Sequence, residues 1–148
     1  MTFAARLAAK TKLGIDLEPF RLYLRGDERH AGLMLPLFEA VERGRLAAVT
    51  SVVTLLELLV DPYRRGDDAA VMDLNVLLPA FPHLALVPLD QAIADKAAAW
   101  QARHGLGQGR CIQLATAVLA GADGFVTLDP GVRALEGEID IILLEEYL

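Results

Sequence analysis

Five short apolar runs, each followed or preceded by a helix-length segment, constrain this chain most. They are Leu13 to Leu17, Leu46 to Thr50, Leu84 to Val87, Gly124 to Leu128 and Ile139 to Leu144. Runs of four to six apolar residues with no polar alternation suit strands buried on both faces. Helices between such strands predict a parallel sheet covered on both sides, an α/β fold. Ligands of such sheets bind outside the carboxyl ends of the strands, where the connections switch direction. The residues just after each strand are therefore the candidate site residues.

The helical segments carry their own punctuation. Pro19 to Leu24 reads as a short helix with Gly26 as its stop. His30 to Arg43 follows, with Pro36 near its first turns and Gly44 past its end. Ser51 is the expected N-cap of a helix through Val60, stopped before Pro62. Asp67 to Leu78 has acids at its positive end, and Asp90 caps an Ala-rich helix to His104. The last helix, apolar nearly all round, runs to Ala120 and begins at Gly109 or Arg110. The first twelve residues read as either an extra helix or a tail.

With 148 residues, 54% of them hydrophobic and 23% charged, the expectation is one globular domain over residues 1–148. No apolar run reaches the roughly 18–20 residues of a membrane span, and the N-terminal stretch lacks the apolar centre of a secretory signal. The single Cys111 permits no internal disulfide and fits a reducing cytoplasm; in its apolar helix it reads as a core thiol. A net charge of −6 argues against coating nucleic acid by bulk electrostatics. It leaves room for a local basic groove from Arg21, Arg25 and Arg29 or from Arg64 and Arg65, which otherwise read as solvated helix faces.

Three acids stand out. Asp16 ends the first strand in "LGIDLEPF", and Asp129 follows the fourth in "FVTLDP". Either alone is a common turn or cap residue. Glu57 is the one acid in the uncharged run "LAAVTSVVTLLELLV", where a carboxylate is rarely buried without a partner. Three acids in one cleft need neutralising, by a divalent cation or by an arginine. Arg110 opens the last helix, whose first turn would favour an anion. Other chemistries are weaker. His30, His83 and His104 are too scattered for a zinc signature. "GLGQGR" follows a helix, not a strand, so it is no dinucleotide fingerprint, and Ser51 lacks the setting of a hydrolase nucleophile.

From about Leu13 to Leu144 the sequence resembles the PIN-domain family, and within it the VapC-type toxins of toxin–antitoxin pairs. The resemblance rests on four segments in order: "GIDLEPF", "AVTSVVTLLELLVDP", "RCIQLATA" and "FVTLDP". It implies a three-layer α/β/α sandwich with a mainly parallel sheet. It also implies a Mg²⁺- or Mn²⁺-dependent endoribonuclease, with Asp16, Glu57 and Asp129 as catalytic acids and Asp16 and Asp129 as metal ligands. The family's fourth acid falls on Arg110, and the usual Thr and Asn after the first Asp are Leu17 and Glu18. Glu18 is a candidate auxiliary acid. A cation about 5 Å from a bound Mg²⁺ repels it by several kcal/mol at an effective dielectric of about 20. The expectation is impaired nuclease activity, with no metal if Arg110 replaces it. The alternative is a catalytically inactive RNA- or protein-binding module. The resemblance further implies an antitoxin-like partner, an RNA substrate and a homodimer.

Overall fold

The computed structural model describes residues 1–148. Five strands form one sheet: β1 (Lys12–Ile15), β2 (Ala47–Ser51), β3 (Leu84–Val87), β4 (Gly124–Thr127) and β5 (Ile141–Leu143). Their order is β3-β2-β1-β4-β5, and every pairing is parallel. The helices are α1 (Phe3–Ala8), α2 (Leu17–Arg25), α3 (Ala31–Glu42), α4 (Val52–Arg64), α5 (Asp68–Leu77), α6 (Gln91–His104) and α7 (Gln108–Leu119).

Both faces of the sheet are apolar, as continuous hydrophobic strands require. Leu13, Ile15, Ala48, Val126 and Ile142 join Phe20, Phe38 and Leu58 in a core under α1 to α5. Phe125 and Ile141, one residue out of phase, join Trp100, Cys111 and Leu114 under α6 and α7. The result is three layers, α/β/α. Gly14 lies where β1 meets α7: a Cβ there would stand 2.4 Å from that of Ala117. Only glycine lets the helix approach this closely.

The chain winds β1, β2, β3 outward with its helices on one face. It then returns across the opposite face through α6 and α7 to place β4 on the other side of β1. The topological switch point therefore lies between β1 and β4. Asp16 and Asp129 flank it, one after each strand.

Several boundaries differ from the sequence expectations. The N-terminal segment is a helix: Thr2 caps it, and Phe3 and Leu7 are buried. The first strand ends at Ile15, because Asp16 turns to cap α2 and Leu17 is already helical. Helix α4 does not stop before Pro62 but continues to Arg64. The proline forfeits a hydrogen bond to the Leu58 carbonyl, yet its ring is buried and the Arg65 amide still closes on the Asp61 carbonyl. Helix α7 starts at Gln108 with Gly107 as a cap lacking a side chain, so Arg110 is its third residue. The last strand holds only Ile141–Leu143, although Ile139 and Leu144 are also buried. No helix is long and apolar enough to cross a membrane.

Candidate functional site

At the switch point a single cation bridges two acids. Asp16 is 0% exposed although it follows a strand at the sheet's carboxyl edge. Its Oδ1 accepts the Leu17 amide at 2.8 Å, and its Oδ2 accepts the Thr127 hydroxyl at 2.7 Å. Arg110 Nη1 lies 2.7 Å from the same Oδ2. Arg110 Nε donates to Asp129 Oδ2 at 3.2 Å, while Asp129 Oδ1 accepts the Gly131 amide at 2.9 Å. All four carboxylate oxygens thus have a protein donor or cation against them. This resolves the misplaced charge at the start of α7. Arg110 is unfavourable beside the helix N-terminus, and two carboxylates brought by β1 and β4 offset that.

Burial pushes the Asp16 carboxyl above its ordinary value, against the pull of Arg110, the Thr127 hydroxyl and the Leu17 amide. Burial also works against the Arg110 cation, but Asp16 and Asp129 outweigh it and hold the guanidinium charged.

Glu57 does not join this pair. It makes no ion pair with Arg110. Instead Arg21 Nη2 lies 3.8 Å from Glu57 Oε2, and Arg21 Nη1 donates to Glu18 Oε1 at 2.6 Å. The two candidate acids Glu57 and Glu18 therefore share a second arginine. Arg21 and Glu57 line a groove of about 610 Å³ between α2, α3, α4 and α5, with Phe20, Tyr23 and Phe81 among its apolar walls. Arg25 and Arg65 line it as well; Arg29 instead pairs with Glu145.

The donor set does not fit a divalent cation. No three His, Cys, Asp or Glu side chains come together as ligands. The carboxylate oxygens that would ligate one are engaged by Arg110, Thr127, Leu17 and Gly131. Cys111 is a buried free thiol, and burial pushes its pKa up, as an inert core cysteine requires.

Sequence reasoning passed over the polar groups that hold this edge. Thr127 Oγ1 donates to Asp16 and accepts the Asp129 amide at 3.1 Å, linking the two acids. Gln113, one turn beyond Arg110, is buried. Its Nε2 donates to Thr54 Oγ1 at 2.7 Å and its Oε1 accepts the Ser51 amide at 3.0 Å. Thr54 and Thr50 share a 2.6 Å hydrogen bond, and Thr50 donates to the Ile15 carbonyl at 2.9 Å. The signal was present: Thr127 is the lone polar residue of "FVT", and Gln113 is a polar residue inside the largely apolar "CIQLATAVL". Such residues, when buried, must find partners.

The PIN domain family model matches residues 21–138. The chain belongs to the PIN-domain family. The match includes Glu57, Arg110 and Asp129 and begins after Asp16. Among solved structures, the fold is shared with a chain of a toxin-antitoxin complex from Klebsiella pneumoniae. That alignment has a TM-score of 0.64 and 18% identity over 90% of this chain and 98% of that one. A chain of VapBC2 from Rickettsia felis, solved bound to a DNA fragment from their promoter, aligns with a TM-score of 0.65. It is 10% identical over 90% of this chain and 97% of that one. No curated protein sequence matches the chain. The three-layer architecture is that of a PIN domain, and the resemblance read from the four sequence segments holds at the level of family and fold.

Proposed function

We propose that residues 1–148 form a single PIN-like domain of the VapC-like endoribonuclease type, with its RNA phosphodiester hydrolysis impaired by Arg110. The observation that carries this reading is the guanidinium seated between Asp16 and Asp129. Related enzymes would use Mg²⁺ or Mn²⁺ among these acids, to activate water and stabilise developing charge. Here the positive charge is part of the chain. It supports Asp16 and Asp129 electrostatically but supplies no metal-bound water.

A ribonuclease assay with Mg²⁺ or Mn²⁺, beside an Asp16→Ala control, tests the reading. No cleavage above the control is expected. Cleavage that disappears in the control overturns the impaired reading and restores Asp16, Glu57 and Asp129 as working catalytic acids.

The second reading is a catalytically inactive binding module. The groove between α2 and α5 favours it, because its apolar floor and mixed charged rim suit a protein segment. The two neighbours are described as a toxin-antitoxin complex and as VapBC2. An antitoxin-like protein is the partner we propose, with RNA as the alternative ligand, a homodimer as the assembly and the cytoplasm as the compartment. Co-expression with the product of a neighbouring small reading frame, followed by co-purification, tests this.

A further inference from the structure

We infer that Arg21 is a second internal counter-ion of the acidic edge, so that two arginines, not one, oppose a divalent cation there. The inference rests on the reading of Arg110 given above.

Helices α2 and α4 both leave the carboxyl edge, from the adjacent strands β1 and β2. Glu18 is the second residue of α2, Arg21 the fifth, and Glu57 the sixth of α4. All three therefore stand within about two turns of the edge. An Arg three residues after a Glu on one helix is an ordinary surface pair of small effect. Arg21 does more than that. Its Nη1 holds Glu18 on its own helix, and its Nη2 lies against Glu57 on the neighbouring one. Arg110 follows the same pattern, with Nη1 on Asp16 and Nε on Asp129. The four acids of the edge are thus divided between two guanidiniums, each bridging two acids from different elements or turns.

Glu57 has Arg21 as its one ion-pair partner, and both side chains are half-exposed. Moving Glu57 to a cation near Asp16 would cost that pairing, and Arg21 would still add its repulsion to the site. Removing Arg110 alone therefore frees two acids and leaves Glu18 and Glu57 held.

The test is Mn²⁺ binding to the full chain at neutral pH, read by the loss of the free-ion paramagnetic resonance signal. The proteins are wild type, R21A, R110N and the R110N/R21A double variant. Asparagine at 110 removes the cation without placing a new charge beside buried Asp16. The wild type and R21A are expected to bind no Mn²⁺ at millimolar concentration, and R110N to bind weakly. The double variant should bind at least about tenfold more tightly than R110N, the scale of one removed charge at intermediate dielectric. R110N/R21K should return to the R110N affinity, because the charge and not the shape is at work. Where R21A lowers the melting temperature enough to obscure binding, R21Q serves in the same comparison. A double variant that binds no more tightly than R110N overturns the role of Arg21 and leaves that of Arg110 intact. Wild-type binding as tight as that of R110N overturns the Arg110 reading, and the inference with it.

Discussion

Arg110 stands 2.7 Å from Asp16, yet the two belong to opposite layers of the molecule: Asp16 caps α2 on one face and Arg110 opens α7 on the other. The pair spans the switch point between β1 and β4, with Asp16 fully buried and the Arg110 side chain 24% exposed. Such pairs gain little over an apolar replacement, but losing one partner leaves a charge without compensation. Arg110→Met is therefore expected to destabilise the fold by roughly 3 kcal/mol, the scale for breaking a buried pair. Asp16→Asn combined with Arg110→Met should recover part of that loss. Urea unfolding of the two singles and the double measures it; a strictly additive double would show that the pair is uncoupled.

Gln113 ties α7 to β2 and α4 through Ser51 and Thr54. Gln113→Leu keeps approximate size but leaves the buried Ser51 amide and Thr54 hydroxyl without that partner. A loss of about 1–3 kcal/mol is expected, read as a lower melting temperature. An unchanged melting temperature would mean that water or a shifted Thr50 satisfies these groups.

Gly14→Ala would drive a methyl to within 2.4 Å of the Ala117 methyl. The backbones of β1 and α7 must then separate, at about 1–3 kcal/mol for overpacking. Ala117→Gly in the same chain should restore most of the stability. Failure of that rescue would place the strain elsewhere, Phe125 being the next atom in the way.

Acid should weaken the fold through Asp123 and Asp140. At Asp123 burial raises the carboxyl, but bonds from the Thr11 and Lys12 amides and the Thr11 hydroxyl outweigh it, so the net shift is downward. At Asp140 burial again raises, and Lys10 and Arg6 outweigh it. With folded pKa values below the unfolded value of 3.8, both stabilise above that pH and lose their contribution as pH falls below it. Asp16, shifted upward, has the opposite sign: its contribution is full below 3.8 and is lost as pH rises above that value through the raised folded pKa. Stability measured from pH 6 downward should fall less steeply below 3.8 in Asp123→Asn than in wild type. An identical slope would remove Asp123 from the account.

Much of the fold could be read from the chain in order. Strand runs at Leu84 and Gly124 and the caps Ser51 and Asp90 are where local periodicity and side-chain-to-backbone bonds put them. Pro62 was misread because its local penalty is offset by a buried ring, and burial depends on what lies across the groove. Asp16, Asp129 and Arg110 were marked as one site by position at strand and helix ends. Glu57 was marked instead as the one acid in an apolar run, and it is held by Arg21.

The amino-acid order alone determined the alternation of strands and helices, the two-sided burial of the sheet and the presence of a cation in the first turn of the last helix. Those follow from spacing within a single element, which is a local property. Tertiary structure alone decided the partners: Arg110 with Asp16 and Asp129, Arg21 with Glu57, Thr127 with an acid 111 residues away. Pairing of charges and hydrogen-bonding groups depends on distances of a few ångströms between elements. The packing of helices on a twisted sheet sets those distances, and no periodicity along the chain encodes them.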